Sequence, residues 1–230
     1  MDKPKGLHKK EENCRKKLCG EENRRLLLLQ EEGEEEYDDE EEESRRRMAA
    51  RTTGTLKNLV VLIQFKDHAE SKNRQKDIPT KEEIEMLMNG DESSLRSIYS
   101  EMSSGQLNVE SYVTDWFITS ETEAWYADGD SGTTNLHEGL REALDYIDTI
   151  IDFSYFDDDK DGKIDCITFL TSGYGAEHLQ KDQYGAHYLD RIWSHKWVLW
   201  GDSEENQLPP WQSKQGIRVW EYHISSSLWG

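Results

Sequence analysis

The sequence predicts an α/β (α+β) domain with a mixed sheet, and three observations carry that prediction. Leu59–Phe65 (LVVLIQF) is a nearly continuous apolar run rich in β-branched residues, the pattern of a strand covered on both faces. Leu140, Ala143, Leu144, Ile147, Ile150 and Ile151 recur at helical spacing, so a helix is expected from Leu136 to about Ile151. Further strand and helix patterns alternate between and beyond these two, which is the order of a layered α/β chain.

Taken in order, the elements are punctuated by recognisable signals. Thr80 with Glu83 makes a capping box for a helix with Ile84, Leu87 and Met88 on one face, and Asn89-Gly90 stops it. A second helix fits Ser94–Ser103, with Leu95, Ile98, Tyr99 and Met102 on one side and Gly105 at its end. Leu107–Ile118 reads as one strand. Asn135 and Glu138 have the spacing to cap the Leu136 helix reciprocally. Ile164–Leu170, Arg191–Leu199 and Gly216–Ile224 complete the set of expected strands.

Composition divides the chain. Its 230 residues carry 28 Lys+Arg against 48 Asp+Glu, a net charge of −20. Residues 1–50 hold 12 basic and 16 acidic residues and one aromatic, Tyr37. Charge this dense with so little apolar area predicts a disordered, low-complexity tail. Residues 51–230 hold all eight Trp and a charge of −16, and are expected to be the folded domain. Excess negative charge disfavours nucleic acid and anionic membrane surfaces as partners and favours cations. No apolar run approaches the ~20 residues that span a bilayer, and Leu26–Leu29 is too short for a secretion-signal core of ~7–15 residues. Three cysteines, Cys14, Cys19 and Cys166, build no disulfide framework and no four-ligand zinc site.

The sharpest chemical signal is Asp157-Asp158-Asp159-Lys160-Asp161-Gly162-Lys163-Ile164-Asp165. Asp157, Asp159 and Asp161 stand at the first, third and fifth positions of a calcium loop. Gly162 stands at the sixth, where the chain turns sharply. Lys163 offers its backbone carbonyl at the seventh and Asp165 its carboxylate at the ninth. The twelfth position is Thr168 rather than Glu, and a strand follows instead of a helix, so the loop lies outside an EF-hand. Calcium, a hard ion held by ~6–8 oxygens, is the expected ligand.

Other chemistry is weaker. His137-Glu138-Gly139-Leu140-Arg141 begins like a zinc-protease helix, but Arg141 stands where the second His belongs. His195 lies in Trp193-Ser194-His195-Lys196-Trp197, where packing between tryptophans is expected. No Gly-x-Ser-x-Gly occurs, Cys166 reads as a buried structural thiol, and Glu177 is a candidate metal or hydrogen-bonding group. No catalytic residue is identified.

Together these segments resemble a known family. Leu59–Phe65 followed by Ser94–Leu107 (SLRSIYSEMSSGQL), the Asp157–Asp165 loop, Gly173-Tyr174-Gly175-Ala176-Glu177, Ile192–Trp197 and Gly216–Ser225 are similar, in order, to the immune-inhibitor-A-like zinc metallopeptidases, peptidase family M, number six. The resemblance covers about residues 54–230. It implies a zincin-like catalytic domain, zinc as cofactor, protein or peptide substrates and an extracellular location. The family's H-E-x-x-H helix would follow the last strand. Its zinc ligands are absent from this sequence, so the chain is expected to be a domain incomplete at its C-terminus, inactive and marginally stable by itself. A non-catalytic calcium-binding or acidic interaction module derived from that fold is the alternative reading.

Overall fold

The computed structural model describes residues 53–70, 78–199 and 209–228. The charged segment 1–50 lies outside the described residues. Thr53–Gly230 forms one compact unit.

The first strand, β1 (Gly54–Gln64), is an interior strand of the main sheet. It leads through α1 (Lys66–Glu70), α2 (Lys81–Asn89) and α3 (Leu95–Met102) into β2 (Leu107–Val113) and β3 (Phe117–Ile118). Two helices follow, α4 (Glu123–Ala127) and α5 (Leu136–Ile147), then a 3₁₀ turn at Phe153–Phe156 and β4 (Ile167–Thr171). A second 3₁₀ turn at Tyr188–Asp190 precedes β5 (His195–Val198), β6 (Trp211–Gln212), β7 (Arg218–Val219) and β8 (Glu221–Ser226).

The main sheet runs β2-β1-β4-β8-β5, with β3 also paired to β1. All pairings are parallel except β5 with β8, which is antiparallel, so the sheet is mixed as the sequence predicts. Parallel strands need crossovers, and the helices that make them cover both faces. That is why β1 is apolar without alternation. Leu59, Val61 and Ile63 join a large core with Leu140, Ala143, Leu144, Phe153 and Phe169. Val60 and Leu62 join a smaller one with Ile84, Val113 and Leu170.

The capping box of α2 is present: Thr80 Oγ1 accepts from Glu83 N–H at 3.2 Å and Glu83 Oε2 accepts from Thr80 N–H at 2.8 Å. Four expectations need correction. Asn135 makes no side-chain cap; its amide instead donates to the Trp125 carbonyl at 3.2 Å, and its backbone is already helical. Helix α5 ends at Ile147, leaving Ile150 exposed. Leu87 and the Ile98–Tyr99–Met102 stripe of α3 face solvent rather than the sheet. The Leu107–Ile118 strand is broken, because Leu62 N–H donates to the Thr114 side-chain oxygen at 3.1 Å where a ladder carbonyl would stand. The chain detours through Asp115 and Trp116, whose indole donates to the Pro79 carbonyl at 3.0 Å.

The later strands are also shorter than their patterns. Ile164 leaves the main sheet because its N–H donates to the Arg218 carbonyl at 3.0 Å, tying the acidic loop to β7. The Gly216–Ile224 run splits at Trp220, whose carbonyl accepts from Leu199 N–H at 2.7 Å.

Candidate metal centre

The acidic loop is anchored at both ends. Phe153 and Phe156 of the 3₁₀ turn are buried in the large core, and Asp165 N–H donates to the Phe156 carbonyl at 2.8 Å. Between these anchors the carboxylates fold inward on backbone amides. Asp157 accepts from Asp161 N–H and Gly162 N–H, both at 3.1 Å. Asp159 accepts from Asp161 N–H at 3.2 Å, and Asp165 accepts from Asp158 N–H at 2.9 Å. Gly162 has φ +80°, a left-handed conformation that glycine adopts at least cost, and Lys160 is also left-handed at φ +60°.

One oxygen from each of Asp157, Asp159 and Asp165 lies within 4.8 Å of the others. Two oxygens bound to one calcium at ~2.4 Å cannot be farther apart than about 4.8 Å, so this spacing suits a shared hard cation. Asp161 turns a carboxylate oxygen to Lys163 N–H at 2.8 Å. Asp158 is drawn outward: its carboxylate meets Lys57 Nζ at 2.7 Å, and the same ammonium donates to the Tyr155 carbonyl and sits 4.0 Å from the Tyr155 ring centre. Its hydrogen bond to the Asp158 carboxylate holds the Lys57 ammonium above its ordinary pKa, although burial opposes it. One loop carboxylate is thus matched by a lysine while its neighbours converge. Thr168, at the twelfth position, sits on β4 and donates to Asn58 Oδ1 at 3.2 Å.

The histidines are organised differently from the sequence reading. His195 reaches inward rather than packing between tryptophans. Its Nδ1 lies 2.7 Å from the Trp193 carbonyl, which only accepts, so Nδ1 carries the proton. Its Nε2 lies 3.0 Å from the Tyr222 hydroxyl, which also lies 3.2 Å from His137 Nε2. Burial pushes the Tyr222 phenol well above its ordinary pKa. His68 is buried between Ser172 Oγ at 2.8 Å and Glu123 Oε2 at 3.3 Å. Both groupings join residues far apart in sequence, and no local spacing signals either.

The remaining candidates are structural. Glu177 accepts from Ser194 N–H at 3.2 Å. Burial works to raise its carboxyl pKa, but the Ser194 hydrogen bonds outweigh it and hold the group below its usual range. At Cys166, burial first and the Asp165 charge second push the thiol up to about 11, so it is inert near neutral pH.

Compared with protein families, residues 45–227 match the catalytic domain of immune inhibitor A, peptidase M6. The chain belongs to this family. None of the curated proteins compared with it matches. M6 membership establishes a metallopeptidase-like domain, and with it the fold expected from the sequence: an α/β domain of mixed sheet and helices.

The M6 family implies zinc, but the residues at hand do not fit it. Among the described residues, the only grouping of three His, Cys, Asp or Glu side chains spaced to share an ion is Asp157, Asp159 and Asp165. It contains neither nitrogen nor sulfur, whereas zinc-peptidase sites are built around imidazole. Arg141 on α5, where a second histidine would complete H-E-x-x-H, donates to the Pro209 carbonyl at 2.8 Å. No peptide-hydrolysis step is therefore assigned to a side chain among the described residues.

Proposed function

We propose that this M6 domain is the calcium-stabilised sheet portion of a metallopeptidase that acts on proteins or peptides, and that its acidic loop holds one calcium ion. The convergence of the Asp157, Asp159 and Asp165 oxygens within 4.8 Å carries this reading. Asp161 and the Lys163 carbonyl complete the predicted ligand set. Without a cation, these carboxylates repel one another across a loop pinned at both ends, so calcium adds stability rather than chemistry. A loop lacking the bidentate Glu at position twelve suits the weak, ~10⁻⁴–10⁻³ M class of site found in extracellular modules. This supports the extracellular location implied by the family.

The second reading is a non-catalytic calcium-binding or acidic interaction module on the same fold. The all-oxygen composition of the cluster and Arg141 at the zinc-motif position favour it over peptidase activity by these 230 residues. Zinc-loaded chain is expected to leave casein intact, and zinc-dependent cleavage would overturn that expectation.

The calcium reading is tested by thermal unfolding with calcium chloride. Calcium at ~100 times its dissociation constant stabilises by about 2.7 kcal/mol. For a domain of this size that is a rise in Tm of about 5–10 °C. Asp159→Asn is expected to abolish the shift. Asp158→Asn, which removes the lysine-paired carboxylate, is expected to keep it. No shift at ~100 mM calcium, about 100 times the dissociation constant at the weak end of that class, or equal loss in both variants, would remove the calcium assignment.

A further inference from the structure

Helix α2 sends Ile84 and Met88 into the smaller core, α3 lies beside it against β2, and both direct large apolar side chains outward. Met86 and Leu87 of α2 are 72% and 49% exposed. Ile98, Tyr99 and Met102 of α3 are 49%, 44% and 77% exposed, and no residue of α3 is buried. Polar bonds hold α3 in place instead. Buried Ser94, its N-cap, accepts from Ser97 N–H at 3.0 Å and donates to the Gly90 carbonyl. Ser103, at its other end, accepts from Leu107 N–H at 2.9 Å. The amphipathic stripe that ordinarily faces a core therefore faces out. Scattered exposed apolar residues are ordinary, but five large ones on two packed helices mark an interaction surface. Two are methionines, whose unbranched, polarizable side chains adapt to a partner's shape.

Charge selects the partner. Six acidic residues, Glu82, Glu83, Glu85, Asp91, Glu92 and Glu101, flank these side chains along residues 81–102. The two cations of that stretch are already engaged, Lys81 with Asp115 at 3.3 Å and Arg96 with Asp91 at 3.7 Å. A second copy would bring like charge against like, and an anionic bilayer would be repelled. A helix with apolar anchors one turn apart and a Lys/Arg rim matches both features. We propose that the outer face of α2 and α3 docks a basic amphipathic helix of another protein. This surface is independent of the calcium loop.

The test titrates the full chain into a labelled synthetic Leu/Lys amphipathic peptide of about five helical turns, followed by fluorescence anisotropy. Ile98→Glu and Met102→Glu each add negative charge. Simple adhesion of a cation to an acidic protein predicts that they bind more tightly, whereas docking predicts weakening of about tenfold. Ile150→Glu, the same change at an exposed site after α5, is expected to leave affinity within about twofold. Circular dichroism melts of the exposed-site variants are expected to match the parent, which separates lost docking from lost folding. The proposal is overturned by unchanged or tighter binding in the Ile98 and Met102 variants, or by a Leu/Glu peptide binding equally well. Self-association that Met102→Glu removes would also overturn it, by assigning the face to a second copy.

Discussion

On one side of β1, Leu59, Val61 and Ile63 meet a deep layer built from α5 and the Phe153–Phe156 turn. On the other, Val60 and Leu62 meet, among the described residues, Ile84, Val113 and Leu170, with Met88 and Trp116 at the margin. The same strand thus has a thick side and a thin side. The thick side is held by shape-filling contacts among aromatic and branched residues. The thin side depends more on local hydrogen bonds at helix ends, and it can present apolar side chains outward because its own core requires few of them.

The largest expected effect tests this asymmetry directly. Leu59 and Leu62 are both fully buried on opposite sides of β1. Leu59→Ala is expected to cost about 4 kcal/mol and Leu62→Ala about 2–3 kcal/mol in urea unfolding, because the shallow layer relaxes into the cavity more readily. Equal losses would mean that the two layers are packed alike.

Next in size is Gly173→Ala at the rim of the thick side. A Cβ there would run into Glu123 Oε1, and Glu123 is buried beside His68. The expected cost is about 1–3 kcal/mol by urea unfolding. A neutral substitution would show that this rim yields.

Helix caps sharpen the contrast further. Thr80→Ala on the thin side is expected to cost about 1 kcal/mol. Asn135→Ala on the thick side is expected to cost only a few tenths of that, since Asn135 makes no cap bond and α5 is held by its buried face. Paired thermal melts compare the two.

The smallest effect concerns acid. Burial works to raise the Asp130 pKa, but bonds from Thr133, Thr134 and Gly132 outweigh it and lower the carboxyl. A depressed folded pKa stabilises above the unfolded value near 4, and that contribution disappears as pH falls through the folded value. Asp130→Asn is expected to flatten this part of the stability profile between pH 5 and pH 2, read from urea midpoints.

What was legible in the sequence was local. The capping box of α2 lies within four residues, the acidic loop within nine, and β1 announces burial on both faces by composition alone. What stayed hidden depends on distant partners. The stripe of α3 has sound helical spacing, but spacing does not say which way a stripe points, and serine bonds at the helix ends decide it. Thr114 interrupts a strand because its hydroxyl oxygen meets an amide from 52 residues earlier. His137 and His195 gain their shared partner only when β8 brings Tyr222 between them.

The interior place of β1 also has a consequence for synthesis. Asn58 on this strand bonds Ser111, 53 residues later, and Thr168, 110 residues later. At about 5–20 residues per second, the ribosome leaves Leu59–Phe65 without its β4 neighbour for about 5–20 s. A run of this kind, uncharged and free of proline, is the sort that stacks into cross-β assemblies. Lys57 stands before it and Lys66-Asp67 after it. These charges bracket the segment as gatekeepers while it waits, so their contribution falls in the nascent chain, before either side of the sheet exists.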